Sequence, residues 1–270
     1  SSYNVAVGYE AGGAVTTGTN NTLIGGLAGD AVTTGASNVA VGYKALSDNT
    51  TGSDNTAIGE LAMENNTTGI RNTAVGSSAL FTKTTGNDNT AIGNGAMYAT
   101  TTASNNTAVG FDSLAANTTG HLNVAVGANS LDANTTGDAN VAVGNNALSA
   151  ATTSDYNTAV GHNSGAAITT GVQNVLIGGL AGDAFTEASY NVAIGIEALS
   201  ADTKGAGSVA VGRNALATQN FTSATTTYNT AVGDRAGLSV TTGTLNTLIG
   251  GLSGDALTDG NSNVAVGYDS

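Results

Sequence analysis

Few residues in this sequence could carry acid–base or metal chemistry. The chain has only two histidines, His121 and His162, and no cysteine. Asp30, Asp183 and Asp255 recur in a shared context, but none of them has the cluster of neighbouring carboxylates that a calcium loop supplies. Solvated or turn-forming carboxylates explain these aspartates, and a bound cation is the alternative. The sequence therefore predicts no catalytic residue, no metal site, no cofactor and no enzyme.

The composition excludes further classes of protein. Of the 270 residues 39 are Gly, and there is no Pro, Cys or Trp. The 19 acidic and 6 basic side chains give a net charge of -13, whereas nucleic-acid binding needs clustered Lys and Arg. No apolar run approaches the ~20 residues of a membrane span. We therefore expect no nucleic-acid partner, no membrane insertion and no disulfide framework.

The elements that must position any functional residue come from an internal repeat. The pentapeptide Asn-(Thr/Val)-(Ala/Leu)-(Val/Ile)-Gly recurs every 17 residues, and one irregular interval holds four extra residues within 217–228. The coils start at Asn4, Asn21, Asn38, Asn55, Asn72, Asn89, Asn106, Asn123, Asn140, Asn157, Asn174, Asn191, Ser208, Asn229, Asn246 and Asn263. Residues 1–270 therefore read as one array of fifteen full coils and a truncated sixteenth. Because the chain ends within a coil, we expect a segment of a longer fibre.

Numbering each coil from its Asn shows which positions are constrained. Positions 2 and 4 hold Thr, Val or Ile, which favours a strand, and Gly at positions 5 and 15 indicates tight turns. The pattern predicts an all-β, parallel β-solenoid, with strands at positions 2–4 and around 7–9. Identical positions then stack as ladders. The first members of the two clearest ladders are Asn4, Asn21, Asn38, Asn55 and Asn72, and Gly8, Gly25, Gly42, Gly59 and Gly76.

Positions 9 and 12 exchange bulk in a way that predicts a packed interior. Nine coils have Leu or Met at position 9, and six have Gly there with a large apolar residue at position 12. The six pairs are Gly12 with Val15, Gly29 with Val32, Gly165 with Ile168, Gly182 with Phe185, Gly237 with Val240 and Gly254 with Leu257. We therefore expect the same part of the interior to be filled by the residue at position 9 in some coils and by the residue at position 12 in the others. These coils come in adjacent pairs, and the second member also has Leu at position 3, so we expect a different cross-section there.

The first strand is apolar on both of its faces. Side chains alternate along a strand, so positions 3 and 4 point to opposite sides, and both are apolar in every coil. One face would line the interior of the coil, and the other would contact a neighbouring chain. A single-chain solenoid that covers the second face with its own turns is the alternative.

The repeat resembles known families. Asn-Thr-Ala-Val-Gly followed by two variable residues and Ala, as in residues 72–79, resembles the head repeats of YadA-like trimeric autotransporter adhesins. Asn-Thr-Thr-Gly at 49–52 resembles repeats of phage tail-fibre proteins. The resemblance covers essentially the whole chain and implies a left-handed β-roll wound as a homotrimer. The coil here is longer than in the adhesin heads, and position 2 is often Thr where they favour Val, so handedness and trimerisation depend on the resemblance alone.

These observations predict a structural fibre or adhesin segment of an extracellular appendage, cell surface or virion. It would hold or form a surface that binds a host-cell glycan or receptor. Insertions in repeat arrays often map to a binding face, so Phe221 and Tyr228 in the insertion are the candidate receptor contacts. Exposed rings at position 6 could stack on sugars; they are Tyr9, Tyr43, Phe111 and Tyr268.

Two other interpretations remain open from the sequence. An ice-binding β-solenoid would use Thr ladders, although the paired Thr at positions 13 and 14 are adjacent and should point to opposite sides. Asn-Thr-Thr also fits the N-glycosylation acceptor pattern, while turn chemistry explains the same residues without a glycan. The acceptors are Asn49, Asn66, Asn117 and Asn134.

Overall fold

The computed structural model describes residues 3–82 and 85–270. It confirms the predicted fold class, an all-β parallel β-solenoid of about 15 turns with 17-residue spacing. The chain groups into two compact units, Ser1–Thr136 and Gly137–Ser270, which use the same coil. The prediction of one array over residues 1–270 stays a prediction. Throughout the described ranges, no helix has the length and apolar character needed to cross a membrane.

Each coil of the first unit contributes one short strand at positions 2–4. The strands are Val5–Val7, Thr22–Ile24, Val39–Val41, Thr56–Ile58, Thr73–Val75, Thr90–Ile92, Thr107–Val109 and Val124–Val126. Neighbouring strands pair in parallel with each residue opposite its equivalent in the next coil, as Val39 pairs with Thr56. Equivalent side chains therefore form columns, spaced by the ~4.8 Å that separates paired strands.

The second unit repeats this arrangement around the insertion. Its main strands are Val141–Val143, Thr158–Val160, Val175–Ile177, Val192–Ile194, Val209–Val211, Thr230–Val232, Thr247–Ile249 and Val264–Val266. Val209 pairs with Thr230, so the strand column keeps its register past the extra residues. The inserted segment adds a strand of its own, because Thr225–Thr226 pairs in parallel with Gly205–Ala206.

The predicted second strand at positions 7–9 is wrong. Positions 6–11 form turns, and positions 7 and 9 have positive φ in every coil that contains them. At position 9 this holds even where the residue is Leu or Met; Leu114, for example, has a φ of 53°. A left-handed residue at every second position bends the chain back instead of extending it.

Glycine at position 5 satisfies two demands at once. All sixteen copies have φ between 129° and 144°, a region that L side chains rarely adopt. In addition, a Cβ built on Gly42 would overlap the carbonyl group of Gly59 in the next coil. At position 15 only the second demand applies: no positive φ occurs there among the described residues, and Ala103 and Ala188 occupy equivalent positions. Close stacking favours Gly at most of these positions, since a Cβ on Gly35 would lie 2.4 Å from the carbonyl oxygen of its equivalent in the next coil, and Ala103 and Ala188 show that the stack adjusts to a Cβ in some coils.

The interior is narrow and filled mainly by positions 3, 8 and 9. Ala at position 3 is fully buried in all coils but the two terminal ones, as at Ala40, so its small side chain lines the interior of the chain. In the coils with Gly at position 9, the large residue at position 12 lies beside that Gly, as Ile168 Cδ1 lies 3.1 Å from a Cβ added to Gly165, and a Leu at position 3 fills the rest of the space. A Cβ added to Gly165 would lie 2.7 Å from Leu176 Cδ1, and one added to Gly182 would lie 2.9 Å from Leu176 Cδ2. Each such Leu thus extends into two coils, which explains why these coils come in pairs.

Candidate functional site

The Asn at position 1 links each coil to its neighbour from the inside. The Asn38 side chain is fully buried, and its Nδ2 donates to Asn21 Oδ1 at 3.2 Å and to the Gly52 carbonyl at 2.9 Å. The Asn38 backbone N–H donates to the same Asn21 oxygen at 3.0 Å. The same contacts recur through Asn55 and Asn72. The ladder residues from Asn21 to Asn246 are buried, so this ladder satisfies internal polar groups and is structural.

A second internal ladder is formed by Asn side chains at position 12, which are the residues that fit the N-glycosylation acceptor pattern. The side chains of all four acceptor residues are completely buried. Asn66 Nδ2 donates to Asn49 Oδ1 at 2.9 Å, and Asn134 Nδ2 donates to Asn117 Oδ1 at 3.0 Å. A glycan could reach these nitrogens only if the coil opened, so turn and ladder chemistry explains the Asn-Thr-Thr sequence.

The outer face of the strand is a continuous apolar surface in both units. Positions 2 and 4 point outward on either side of the buried position 3. Seven residues at position 4 are between 36% and 41% exposed: Ile24, Ile58, Ile92, Val160, Ile177, Val232 and Ile249. Each of these seven side chains keeps more than a third of its surface exposed in the chain. They form a column of Val and Ile beside a column of Val and Thr, repeated at the strand spacing.

The insertion separates its two aromatic residues. Phe221 is only 8% exposed, and its backbone N–H donates to Asp202 Oδ1 at 3.0 Å, so its ring packs within the coil and is not displayed to a receptor. Tyr228 is 63% exposed. Of the two candidate contacts, only Tyr228 therefore presents its ring to solvent, and its role as a contact stays a prediction.

The insertion also repairs the Asn ladder where Ser208 replaces Asn. Gln219 Oε1 accepts from Asn229 Nδ2 at 2.8 Å, in place of the missing Asn oxygen. Gln219 Nε2 donates in turn to Asp202 Oδ2 at 2.7 Å. All of these side chains are fully buried. The irregular coil is thus held by a specific polar network, which makes it an ordered part of the array.

The titratable residues are not brought together into a site. His121 and His162 remain in different coils, and His121 Nδ1 accepts from the exposed backbone N–H of Ser104 at 3.0 Å. No group of three or more potential metal-binding side chains occurs among the described residues. Burial is the main cause that raises the pKa of the Asp30 and Asp183 carboxyls, and Oδ1 of each accepts no hydrogen bond.

Asp132, at position 10 of a coil that has Leu at position 9, also has a pKa raised mainly by burial and an Oδ1 that accepts no hydrogen bond, although it lies outside the three coils that share the Asp context. These carboxylates are separated along the array and have no common ligand geometry. Desolvation is the largest cause of their raised pKa, and neighbouring carboxylates add to it.

The two Thr columns have different environments. The hydroxyl at position 13 donates to the carbonyl of the next coil, as Thr33 Oγ1 does to Thr50 at 3.0 Å. This contact replaces the purely local turn bond that Thr could form. Thr at position 14 is exposed, as at Thr34 and Thr51. A single exposed Thr column results, with no second Thr column beside it in the described turns.

Neither a model of a known protein family nor a curated protein matches this chain.

Proposed function

We propose that this chain is a segment of an extracellular fibre, of the adhesin or phage tail-fibre kind, that assembles as a left-handed homotrimer. The observation that carries the proposal is the outward column of Val and Ile at position 4. An apolar surface that continues through many coils is costly to leave in water, and such surfaces commonly mark protein contacts. Handedness and the number three come from the resemblance to trimeric adhesin heads.

A second copy of the chain is the occupant that fits this surface best. The column repeats at the strand spacing, and only a partner with the same spacing meets every coil in the same way. A copy related by a rotation axis parallel to the columns has that spacing by construction. The role would be mechanical, holding or forming a receptor-binding surface at the cell surface or on a virion, and it needs no catalytic residue.

Light scattering tests the assembly directly. We expect a mass three times that of the 26.1 kDa chain. Replacing Ile58→Lys together with Ile92→Lys places charges in the outer strand face and should give the mass of one chain. The matched control is Tyr43→Lys with Phe111→Lys, which places the same charges on exposed rings at position 6 and should leave the mass unchanged. A single-chain mass for the unmodified protein would refute the trimer.

Ice binding is the second candidate, favoured only by the exposed Thr at position 14. Every coil of the first unit has Thr there, which gives one regular column: Thr17, Thr34, Thr51, Thr68, Thr85, Thr102, Thr119 and Thr136. In the second unit Glu187 and Lys204 replace it in adjacent coils and pair at 2.9 Å. Thermal hysteresis that is lost on Thr34→Lys and Thr51→Lys would favour this function, and its absence would exclude it.

A further inference from the structure

Three exposed tyrosines of the second unit form a straight row. Position 17 of alternate coils holds Tyr156, Tyr190 and Tyr228, which are 63%, 61% and 63% exposed. Each lies two residues before a strand, and those strands pair in register from coil to coil. The rings therefore recur at every second coil, which is about 10 Å along the array. We name these three residues the tyrosine row.

The backbone holds the three tyrosines in the same left-handed conformation. All three tyrosines have positive φ, between 49° and 63°. The Tyr156 N–H donates to the Asp138 carbonyl and the Tyr190 N–H donates to the Val172 carbonyl, both at 3.0 Å. Because coil-to-coil hydrogen bonds already hold the backbone of Tyr156 and Tyr190, little backbone freedom is lost there on binding, which favours a rigid, repetitive ligand.

The positions between the rings leave the row open. Gly207 separates Tyr190 from Tyr228, and a Cβ added to it would lie 3.3 Å from two carbons of the Tyr228 ring. The ring thus lies over a residue that has no side chain. Gln173, between Tyr156 and Tyr190, is exposed and can donate to and accept from hydroxyl groups.

We propose that the tyrosine row binds an extended, uncharged β-1,4-linked polysaccharide, with one ring stacked on every second sugar. Alternate sugars in such a chain are turned by half a revolution, so the same sugar face recurs once per disaccharide. That repeat is close in length to two coil rises. Aromatic faces are suited to the apolar faces of sugars, since the ring offers a large surface and the hydroxyl a polar contact.

The charge near the row favours a neutral ligand. The residues at position 16 beside it are Asp155, Val172, Ser189, Ala206 and Thr227, among which there is an acid and no base. The position-16 column therefore offers no basic side chain that could pair with an anionic polysaccharide. The proposal gives the fibre segment a ligand class and in that respect rests on the proposed function, although the row belongs to one chain and does not require the trimer.

Binding of the full chain to insoluble cellulose and chitin, measured by depletion from solution, tests this site. We expect binding that weakens at least about tenfold when all three tyrosines are changed to Asn. Asparagine is suitable because Asn20 and Asn105 occupy position 17 with φ of 60° and 61°, so the fold tolerates it. The control triple, Tyr9→Asn, Tyr43→Asn and Tyr268→Asn, removes as many exposed rings at position 6 and should bind normally.

A second variant tests the spacing without changing composition. Tyr190→Gln with Gln173→Tyr keeps three rings in the column but breaks their alternation, and we expect most of the binding to be lost. Amylose, which winds as a helix, should not bind. No depletion of the unmodified chain by cellulose or chitin, equal loss in the control triple, or full binding by the exchanged variant would each overturn the proposal.

Light scattering on the same samples keeps the two proposals distinct. A trimer that binds neither polysaccharide refutes the tyrosine row and leaves the fibre segment intact. A single chain that binds through the row refutes the trimer and leaves the polysaccharide site intact.

Discussion

Leu176 offers a sharp test of how the paired coils are packed. It is fully buried at position 3, where most coils have Ala, and its two terminal methyl groups occupy the space beside Gly165 and Gly182. Leu176→Ala should leave a cavity and cost about 2–5 kcal/mol of unfolding free energy. Gly165→Ala alone should cost about 1–3 kcal/mol, since its Cβ would lie only 2.7 Å from Leu176 Cδ1.

The informative quantity is the coupling between these two changes. In the double variant the methyl group that Gly165→Ala adds enters the space that Leu176→Ala has vacated. The backbone strain of a residue with positive φ is the same in both backgrounds and cancels from the cycle. We therefore expect the double variant to be more stable than the sum of the single changes predicts, by about 1–2 kcal/mol.

Urea unfolding followed by circular dichroism at one fixed chain concentration measures this cycle, because assembly would make stability concentration-dependent. Leu199→Ala combined with Gly165→Ala is the matched control. Leu199 is equally buried but lies two coils away, so those two costs should add. Additivity of the Leu176 and Gly165 changes, within about 0.5 kcal/mol, would refute the shared-space explanation.

Three further outcomes are expected. Gly144→Val should lower the melting temperature strongly, because its φ is 136° and a Cβ would overlap the Gly161 carbonyl, whereas Asn94→Val, at the exposed position that follows the equivalent Gly93, should have little effect. Asn66→Ala should cost about 1–3 kcal/mol in urea unfolding, because it leaves buried ladder groups unpaired. Asp183→Asn should raise the melting temperature at pH 7. The raised pKa of Asp183 means that the wild-type chain gains stability on acidification, so this difference should shrink toward pH 4; a constant difference would contradict it.

The sequence predicts the stacking well because every coil carries the same constraint at the same position. Asn at position 1 and Gly at position 5 are the signals that identify the ladder. The second strand could not be predicted in the same way. Its absence depends on positive φ at residues such as Leu46 and Met63, and these residue types are not typical of that conformation. Contacts with neighbouring coils determine the φ angles at these positions. The local conformational preference of Leu or Met does not reveal those contacts.

The candidate binding surface was only partly predictable. The insertion identified Phe221 and Tyr228, but residue type alone could not tell which ring packs inside, since that depends on the Asp202 network. Tyr156 and Tyr190 belong to no insertion or motif, but the sequence does contain a signal for them. At position 17, three alternate coils of the second unit have tyrosine. Because the strands of successive coils pair in register, these tyrosines lie in one row along the array.

The positive-φ positions connect the stability of the array to its proposed function. Each coil holds positions 7, 9 and 17 in a conformation that costs about 1–2 kcal/mol for most residues. An isolated coil could not meet this cost, and neighbouring coils compensate for it. The N–H groups of Leu27 and Tyr190 donate to the preceding coil, and that of Leu46 donates to the following one. The backbone of Tyr190 is therefore fixed by stacking, so the rigidity that the proposed fibre needs would also hold the proposed polysaccharide site in place.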